Sequence, residues 1–123
     1  MSDIRSIRIE GLASLPVEDR YDPELIAETS IGPSFSDRTF ERLYGVASPL
    51  RLVDGARRLT LRSTGFSEWM VWNPGRDGAR ALADLPDDDW SNFICIEPVI
   101  AHTPAILAPG AIFQGVLSIT TAE

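Results

Sequence analysis

Lysine is absent from this sequence, and cysteine and histidine each occur once. The single cysteine, Cys95, cannot form an internal disulfide, which favours a reducing compartment over a secreted disulfide scaffold. No apolar run approaches the roughly 20 residues that a membrane-spanning helix requires. The first residues carry charges of both signs and no long apolar segment follows them, unlike a signal peptide. We therefore expect a cytoplasmic protein without a membrane segment.

Positive charge is also in short supply. The formal net charge is −7 and the isoelectric point is about 4.6, which argues against nucleic acid as a partner because its phosphates would be repelled. All 11 basic residues are arginine. Arginine binds phosphate or carboxylate through two parallel hydrogen bonds, although a codon bias toward arginine is the simpler explanation of this composition.

Alternating apolar and polar residues form short segments that are separated by turn signals, a pattern typical of an antiparallel sandwich or barrel. We expect one all-β domain over residues 1–123, with segments 67–73 and 92–98 in central strands because both of their faces are apolar. Asp54-Gly55 predicts a hairpin. The expected strands are 4–12, 50–53, 57–63, 67–73, 92–98 and 112–120, and the expected short helices are 23–28 and 79–85.

Glu97 is the first candidate for chemistry. It lies within the apolar run 93–98, on the predicted strand face that also carries Phe93 and Cys95. Burial there would raise the pKa of the carboxyl and suit it to general acid–base work. A glutamate at a strand end that reaches water or pairs with an arginine fits the same pattern, and both interpretations stay open.

The remaining polar and aromatic candidates are weaker. Three adjacent aspartates at 87–89 lack the spacing and the glycine of a calcium loop, so we expect a solvated turn. His102 lies in a predicted loop and is interpreted as a surface residue. Trp69 is expected in the core, whereas Trp72 and Trp90 could either stack on a sugar ring or fill the core.

Several segments together resemble the hexose-6-phosphate mutarotases (glucose-6-phosphate 1-epimerases) of the aldose 1-epimerase family. The resemblance covers nearly the whole chain but only the C-terminal half of the family's length. It is carried by the segments 3–12, 40–44 (FERLY), 71–75 (VWNPG), 83–88 (ADLPDD), 93–97 (FICIE) and 107–110 (LAPG).

The resemblance implies an antiparallel β-sandwich, here part of a galactose-mutarotase-like supersandwich. It implies an isomerase that interconverts the α and β anomers of a hexose 6-phosphate without a metal or an organic cofactor. Glu97 matches the family's general base. Glu41 falls where the family has a substrate-binding aspartate, whose side chain is one methylene shorter than that of a glutamate. Arg42 and Trp72 complete the expected substrate-binding set.

The family's catalytic histidine and phosphate-binding arginines lie in the N-terminal half. The resemblance therefore implies a chain with the base but without the acid. His102 does not match the position of the family's catalytic histidine. Three interpretations follow: an incomplete enzyme with weak or no activity alone, one half of a split mutarotase completed by an N-terminal-half chain, or a non-catalytic carbohydrate-binding or self-associating module. The expected partners are a hexose phosphate or another sugar, and a second copy or complementary chain that covers exposed strand edges.

Overall fold

The computed structural model describes residues 1–122 and contains two four-stranded antiparallel sheets. The first sheet has the order β1-β4-β5-β8 and the second has the order β2-β3-β6-β7. This arrangement confirms the predicted all-β antiparallel sandwich. The elements are β1 (Arg8–Glu10), β2 (Val17–Asp19), β3 (Phe40–Tyr44), β4 (Leu50–Asp54), β5 (Arg57–Thr64), β6 (Glu68–Asn73), α1 (Gly75–Arg80), β7 (Cys95–Val99) and β8 (Val116–Ala122), with 3₁₀ turns at Ile4–Ser6 and Asp89–Asn92.

The core lies between the two sheets. Side chains alternate between the two faces of a strand, and every second residue of β6 enters the core, where Trp69 and Val71 are fully buried. Ile9 and Leu50 of the first sheet belong to the same apolar cluster. The predicted core position of Trp69 is confirmed, and its indole N–H donates to the carbonyl oxygen of Ser48 at 2.8 Å.

Local turn chemistry explains why β4 and β5 form a hairpin. Asp54 pairs with Arg57 at the last rung of the ladder, so Gly55 and Ala56 make a two-residue turn. Gly55 adopts a positive φ of 61°, which a two-residue hairpin turn requires. The hairpin predicted from Asp54-Gly55 is therefore confirmed.

Three expectations about individual elements are wrong. β6 is central as predicted, but β7 pairs, among residues 1–122, with β6 alone and forms an edge of the second sheet. Its apolar residues on one face reach the core, and those on the other face stay at the surface. The helix begins directly after Asn73-Pro74 and ends at Arg80, earlier than the predicted 79–85. Segment 23–28 makes only a turn, in which the Leu25 N–H donates to the Asp22 carbonyl.

The corner after β6 fixes the path of the chain into β7. The buried Asn73 side chain donates to the carbonyl oxygens of Trp90 and Phe93, at 2.8 and 2.9 Å, and accepts from the Gly75 N–H at 2.8 Å. These three bonds join the end of β6 to the segment that leads into β7. The motif VWNPG is thus a structural corner, and Glu97 lies on the strand that it positions.

One edge of the first sheet carries uncovered apolar residues. In the described part of the chain, β8 pairs only with β5, and Val116, Leu117 and Ile119 are between 41% and 55% exposed. Ile106 and Ile112, in the segment before β8, are at least 89% exposed. The bare apolar surface that we expected on a half-length sandwich is therefore present. Within residues 1–122, no helix has the length and apolar character to cross a membrane.

Candidate functional site

The second sheet turns one face toward the core and the other away from it. On the outward face, aligned residues form two rows across all four strands of the sheet. We call these eight residues the open face. Its first row is Glu97, Met70, Leu43 and Glu18, and its second row is Cys95, Trp72, Glu41 and Arg20.

Glu97 is exposed, so of the two interpretations that the sequence left open, the structure favours the glutamate that reaches water over the buried one. The reason is that β7 is an edge strand and that the open face has no second layer over it within residues 1–122. Cys95 precedes Glu97 by two residues on the same face. Burial raises the pKa of the Cys95 thiol, and the negative charge of Glu97 raises it further. The carboxylate is therefore accessible to a ligand and lies close to the thiol.

Glu41 lies on the same face, two strands away from Cys95. Its carboxylate accepts a hydrogen bond from the guanidinium of Arg20 at 3.1 Å. Leu43 and Met70 form the floor of a depression of about 210 Å³ beside this pair. Since typical ligand pockets begin at roughly 300 Å³, a small molecule would lie on this depression rather than inside it.

Trp72 is half-buried and lies between Cys95 and Glu41 on the open face. Its ring centroid is 6.2 Å from that of Phe93, so the indole has an apolar neighbour on one side. Trp90, by contrast, is 4% exposed and belongs to the core. Of the two tryptophans left open by the sequence, only Trp72 is on the face of Glu97.

Arg42 lies on the opposite face from Glu97. Adjacent residues of a strand face opposite sides, so Glu41 and Arg42 cannot both reach the open face. The Arg42 guanidinium pairs with Asp19 at 2.6 Å and with Glu28 at 2.8 Å. The structure therefore does not bring Arg42 to the other predicted site residues.

Glu28 is a buried carboxylate that was not among the residues predicted from the sequence. It is 7% exposed, and it accepts from the Tyr44 hydroxyl at 2.5 Å as well as from Arg42. Burial raises the pKa of Tyr44, and the hydrogen bond to Glu28 raises it further. This network ties the loop around Glu28 to β3, which is a structural role.

His102 lies in the loop after β7, as predicted, but it is not an isolated surface residue. Its Nδ1 is 2.5 Å from a carboxylate oxygen of Glu68, and its Nε2 is 2.8 Å from one of Glu18. The backbone N–H groups of Ala101 and His102 also donate to Glu68. We call His102, Glu68 and Glu18 the histidine cluster.

Neither Glu68 nor Glu18 was predicted as a site residue from the sequence. One signal was available for Glu68, because this glutamate opens an otherwise apolar central strand and therefore needs a partner when buried. Burial alone would raise the pKa of Glu68, but the N–H groups of His102 and Ala101 and the imidazole lower it overall. The hydrogen bond to Glu68, followed by the charge of Glu18, raises the pKa of His102.

The open face combines carboxylates, an exposed guanidinium, an apolar floor and an aromatic ring. Carboxylates accept hydrogen bonds from hydroxyl groups, and an indole or a thioether packs against C–H groups. Such a surface suits a small polyhydroxylated molecule. Within residues 1–122, no group of three or more histidine, cysteine or acidic side chains is placed to hold a metal ion.

The sequence is similar to those of curated proteins that share one description. The chain is 27% identical, over 98% of its length, to a candidate glucose-6-phosphate 1-epimerase from Cenchrus ciliaris. It is 26% identical, over 85% of its length, to a protein of the same description from Salmonella typhimurium. The chain spans only 37% and 36% of the length of these two relatives.

A solved structure shares the fold. The crystal structure of YeaD, a candidate mutarotase from Salmonella typhimurium, superposes with a TM-score of 0.87 at 22% identity. The match covers all of this chain and 42% of that chain. The sequence pattern of the aldose 1-epimerase family matches residues 1–120. The chain therefore belongs to the aldose 1-epimerase family.

Proposed function

We propose that this chain carries the sugar-recognition face and the general base of a hexose-6-phosphate mutarotase, an enzyme that interconverts the α and β anomers of its substrate. The observation that carries the proposal is the convergence of Glu97, Trp72 and Glu41 on one open sheet face. Three residues from three different strands meet there, although they are far apart in sequence.

Glu97 acts as the base in this proposal. Its exposed carboxylate accepts the proton of the C1 hydroxyl, which starts the opening of the sugar ring. Trp72 and Met70 offer apolar surface for the C–H side of the ring, and Glu41 accepts hydrogen bonds from its hydroxyls. Arg42 takes no part, because its guanidinium is occupied by Asp19 and Glu28.

A hexose 6-phosphate is the substrate that we propose. Support comes from the names of the relatives, which describe candidate glucose-6-phosphate 1-epimerases. The exposed guanidinium of Arg20 on the open face offers positive charge for an anionic group, since arginine binds phosphate through paired hydrogen bonds. The other arginines expected to grip phosphate would come from outside the matched region.

We also propose that the chain works in an assembly in the cytoplasm. The relatives are more than twice as long as the matched region, and β8 presents uncovered apolar residues at a sheet edge. A complementary chain that supplies the remaining part of the sandwich, or a second copy of this chain, would cover that edge.

The test is anomer exchange measured by NMR on an equilibrium mixture of glucose 6-phosphate. Glu97→Gln removes the base and should abolish any acceleration over the spontaneous rate, whereas the matched control Glu24→Gln, in an exposed turn, should preserve it. Titration with glucose 6-phosphate should also shift the indole signal of Trp72. Absence of both binding and acceleration would refute the proposal.

A second candidate is a non-catalytic, self-associating sugar-binding module. The exposed apolar residues of β8 favour it, because such an edge attracts another strand. Binding of glucose 6-phosphate without anomer exchange, together with a concentration-dependent increase in mass by light scattering, would support this alternative over the enzyme.

A further inference from the structure

A cavity of about 430 Å³ lies between the core-facing side of the first sheet and the segment that leads into β7. Leu52 of β4 and Leu59 of β5 line it on one side. Phe93 and Ile94 line it on the other. The volume exceeds the roughly 300 Å³ at which typical ligand pockets begin. Because most of the wall is apolar, the cavity suits the hydrocarbon part of a ligand.

Asp54 brings a carboxylate into this apolar wall. It follows Leu52 by two residues on β4, so both side chains point to the core side of the sheet. The Asp54 side chain is only 9% exposed. A carboxylate buried to this extent needs hydrogen-bond partners for its oxygens.

The two oxygens of the Asp54 carboxylate are used unequally. Oδ2 accepts the backbone N–H of Ser2 at 3.0 Å and an N–H of Arg57 at 2.8 Å. Oδ1 is buried as well, yet no donor among residues 1–122 contacts it. Buried acceptors without a partner are rare in folded proteins, and they destabilise the fold unless a bound molecule supplies the hydrogen bond.

Charge decides which kind of group can supply that bond. Hydrogen bonding to Ser2 lowers the pKa of Asp54, so the carboxylate is ionised at neutral pH and only accepts hydrogen bonds. The group that binds it must therefore be a donor. The guanidinium of Arg57 already lies 2.8 Å from this carboxylate and offsets its charge. A neutral O–H group consequently fits Oδ1 better than a second cation does.

Met1 leaves a way into the polar part of the cavity. Its side chain lines the cavity, and it directly precedes Ser2, the residue that donates to Oδ2. Met1 is 41% exposed, and a methionine side chain is unbranched and adaptable. A ligand can displace it while both hydrogen bonds to Oδ2 persist.

We propose that this cavity binds a small neutral alcohol, whose hydrocarbon part packs between Leu59 and Ile94 and whose O–H donates to Oδ1 of Asp54. None of the residues that line the cavity belongs to the open face. A sugar is excluded, because most of its hydroxyl groups would lose their hydrogen bonds to water without finding partners here. The inference is therefore independent of the proposed function.

Two isomeric probes that differ in one donor test the inference. Hexanol and methyl pentyl ether contain the same atoms, but only hexanol has an O–H group. Each is titrated into the isotope-labelled full chain, and NMR follows the methyl signals of Leu52, Leu59 and Ile94. Both probes should shift these signals. Hexanol should bind about tenfold more tightly, because it alone can donate to a buried ionised acceptor.

Asp54→Asn tests the acceptor. The amide oxygen should take over the bonds from Ser2 and Arg57, since both are donors, and the NH₂ group then occupies the position of Oδ1. The preference for hexanol over the ether should disappear while the ether still binds. Asp87→Asn, the same change in an exposed turn, should leave the preference as it is in the wild-type chain.

Thr121→Trp tests the cavity without altering the carboxylate. Thr121 lines the cavity from β8 and is exposed, so a larger side chain can fill the space without entering the packed core. The methyl shifts caused by both isomers should be lost. This variant decides the matter even if Asp54→Asn does not fold.

The outcomes separate a ligand site from a gap filled by protein. Equal affinities of the two isomers for the wild-type chain would overturn the role of Asp54. An absence of shifts at the cavity methyl groups would overturn the inference, and a segment of a second or complementary chain would then be the occupant. Shifts confined to Trp72 would place the probes on the open face and would also overturn it. Saturation with glucose 6-phosphate should leave the affinity for hexanol unchanged, whether or not the chain accelerates anomer exchange.

Discussion

Replacement of Gly75 by alanine tests whether the corner after β6 is held as tightly as the structure indicates. Gly75 has a φ of 68°, and an added Cβ would lie 2.5 to 2.6 Å from backbone atoms of Asp37, Arg38 and Thr39. Real Cβ atoms essentially never approach so closely, so the backbone must move. Gly55 offers a matched control, since its φ is 61° and an added Cβ would have no neighbour within 4 Å.

The two substitutions share one energetic contribution and differ in another. A left-handed backbone costs an alanine about 1 kcal/mol relative to glycine, and this applies at both positions. Overpacking against a fixed backbone adds about 2 kcal/mol at Gly75. We therefore expect Gly55→Ala to lower the free energy of unfolding by about 1 kcal/mol and Gly75→Ala by about 3 kcal/mol.

Urea denaturation followed by tryptophan fluorescence measures both values, at one protein concentration because the chain is expected to associate. The melting temperature of Gly75→Ala should fall by roughly 10 °C. Equal losses in the free energy of unfolding for the two variants would refute the reasoning, because they would show that the backbone around Gly75 moves aside without an energetic penalty.

Three further predictions concern polar side chains and their hydrogen bonds. Asn73→Ala removes three hydrogen bonds made by a buried side chain and should lower the free energy of unfolding in urea by about 3 kcal/mol. A loss below about 1 kcal/mol would contradict the role of this side chain. Tyr44→Phe removes one donor to Glu28 and should cost about 1 kcal/mol by the same measurement, and an unchanged stability would argue against that bond. Stability should also depend on pH through Glu68 and His102. Because folding lowers the pKa of Glu68, its ionised carboxylate stabilises the fold at pH values above the ordinary pKa of 4.5. This stabilisation is lost as the pH falls through the pKa of the folded state. Because folding raises the pKa of His102, its protonated imidazole stabilises the fold at pH values below the ordinary pKa of 6.5. This stabilisation is lost as the pH rises through the pKa of the folded state. Thermal denaturation across pH should therefore show a maximum between these values that flattens in Glu68→Gln.

Local patterns were sufficient to predict the class of fold and several of its elements. The two-residue turn at Asp54-Gly55 and the core position of Trp69 follow from turn chemistry and alternation, which depend on near neighbours in the sequence. The position of β7 at an edge could not be predicted in the same way. Its apolar residues resemble those of a central strand, and only the tertiary arrangement shows that one face contacts no second layer.

The candidate site was predicted only in part, because the side chains of β3 alternate between the two faces of the sheet. Glu41 and Arg42 were grouped because they adjoin in one motif, yet adjacent strand residues face opposite sides. The partnership of His102 with Glu68 joins residues 34 positions apart, and no local pattern specifies such a contact. Three-dimensional proximity of this kind is set by strand order, which the sequence alone did not provide.

The position of β8 has a consequence for how the chain acquires its structure. The β4–β5 hairpin forms from neighbouring residues, whereas β8 must find β5 across the interval between Thr64 and Val116, residues that pair in the sheet. Closing so long a loop costs more conformational entropy than closing a two-residue turn. We therefore expect the hairpin to form early and β8 to dock late, which gives the unprotected edge of β5 time to capture a strand from another nascent chain.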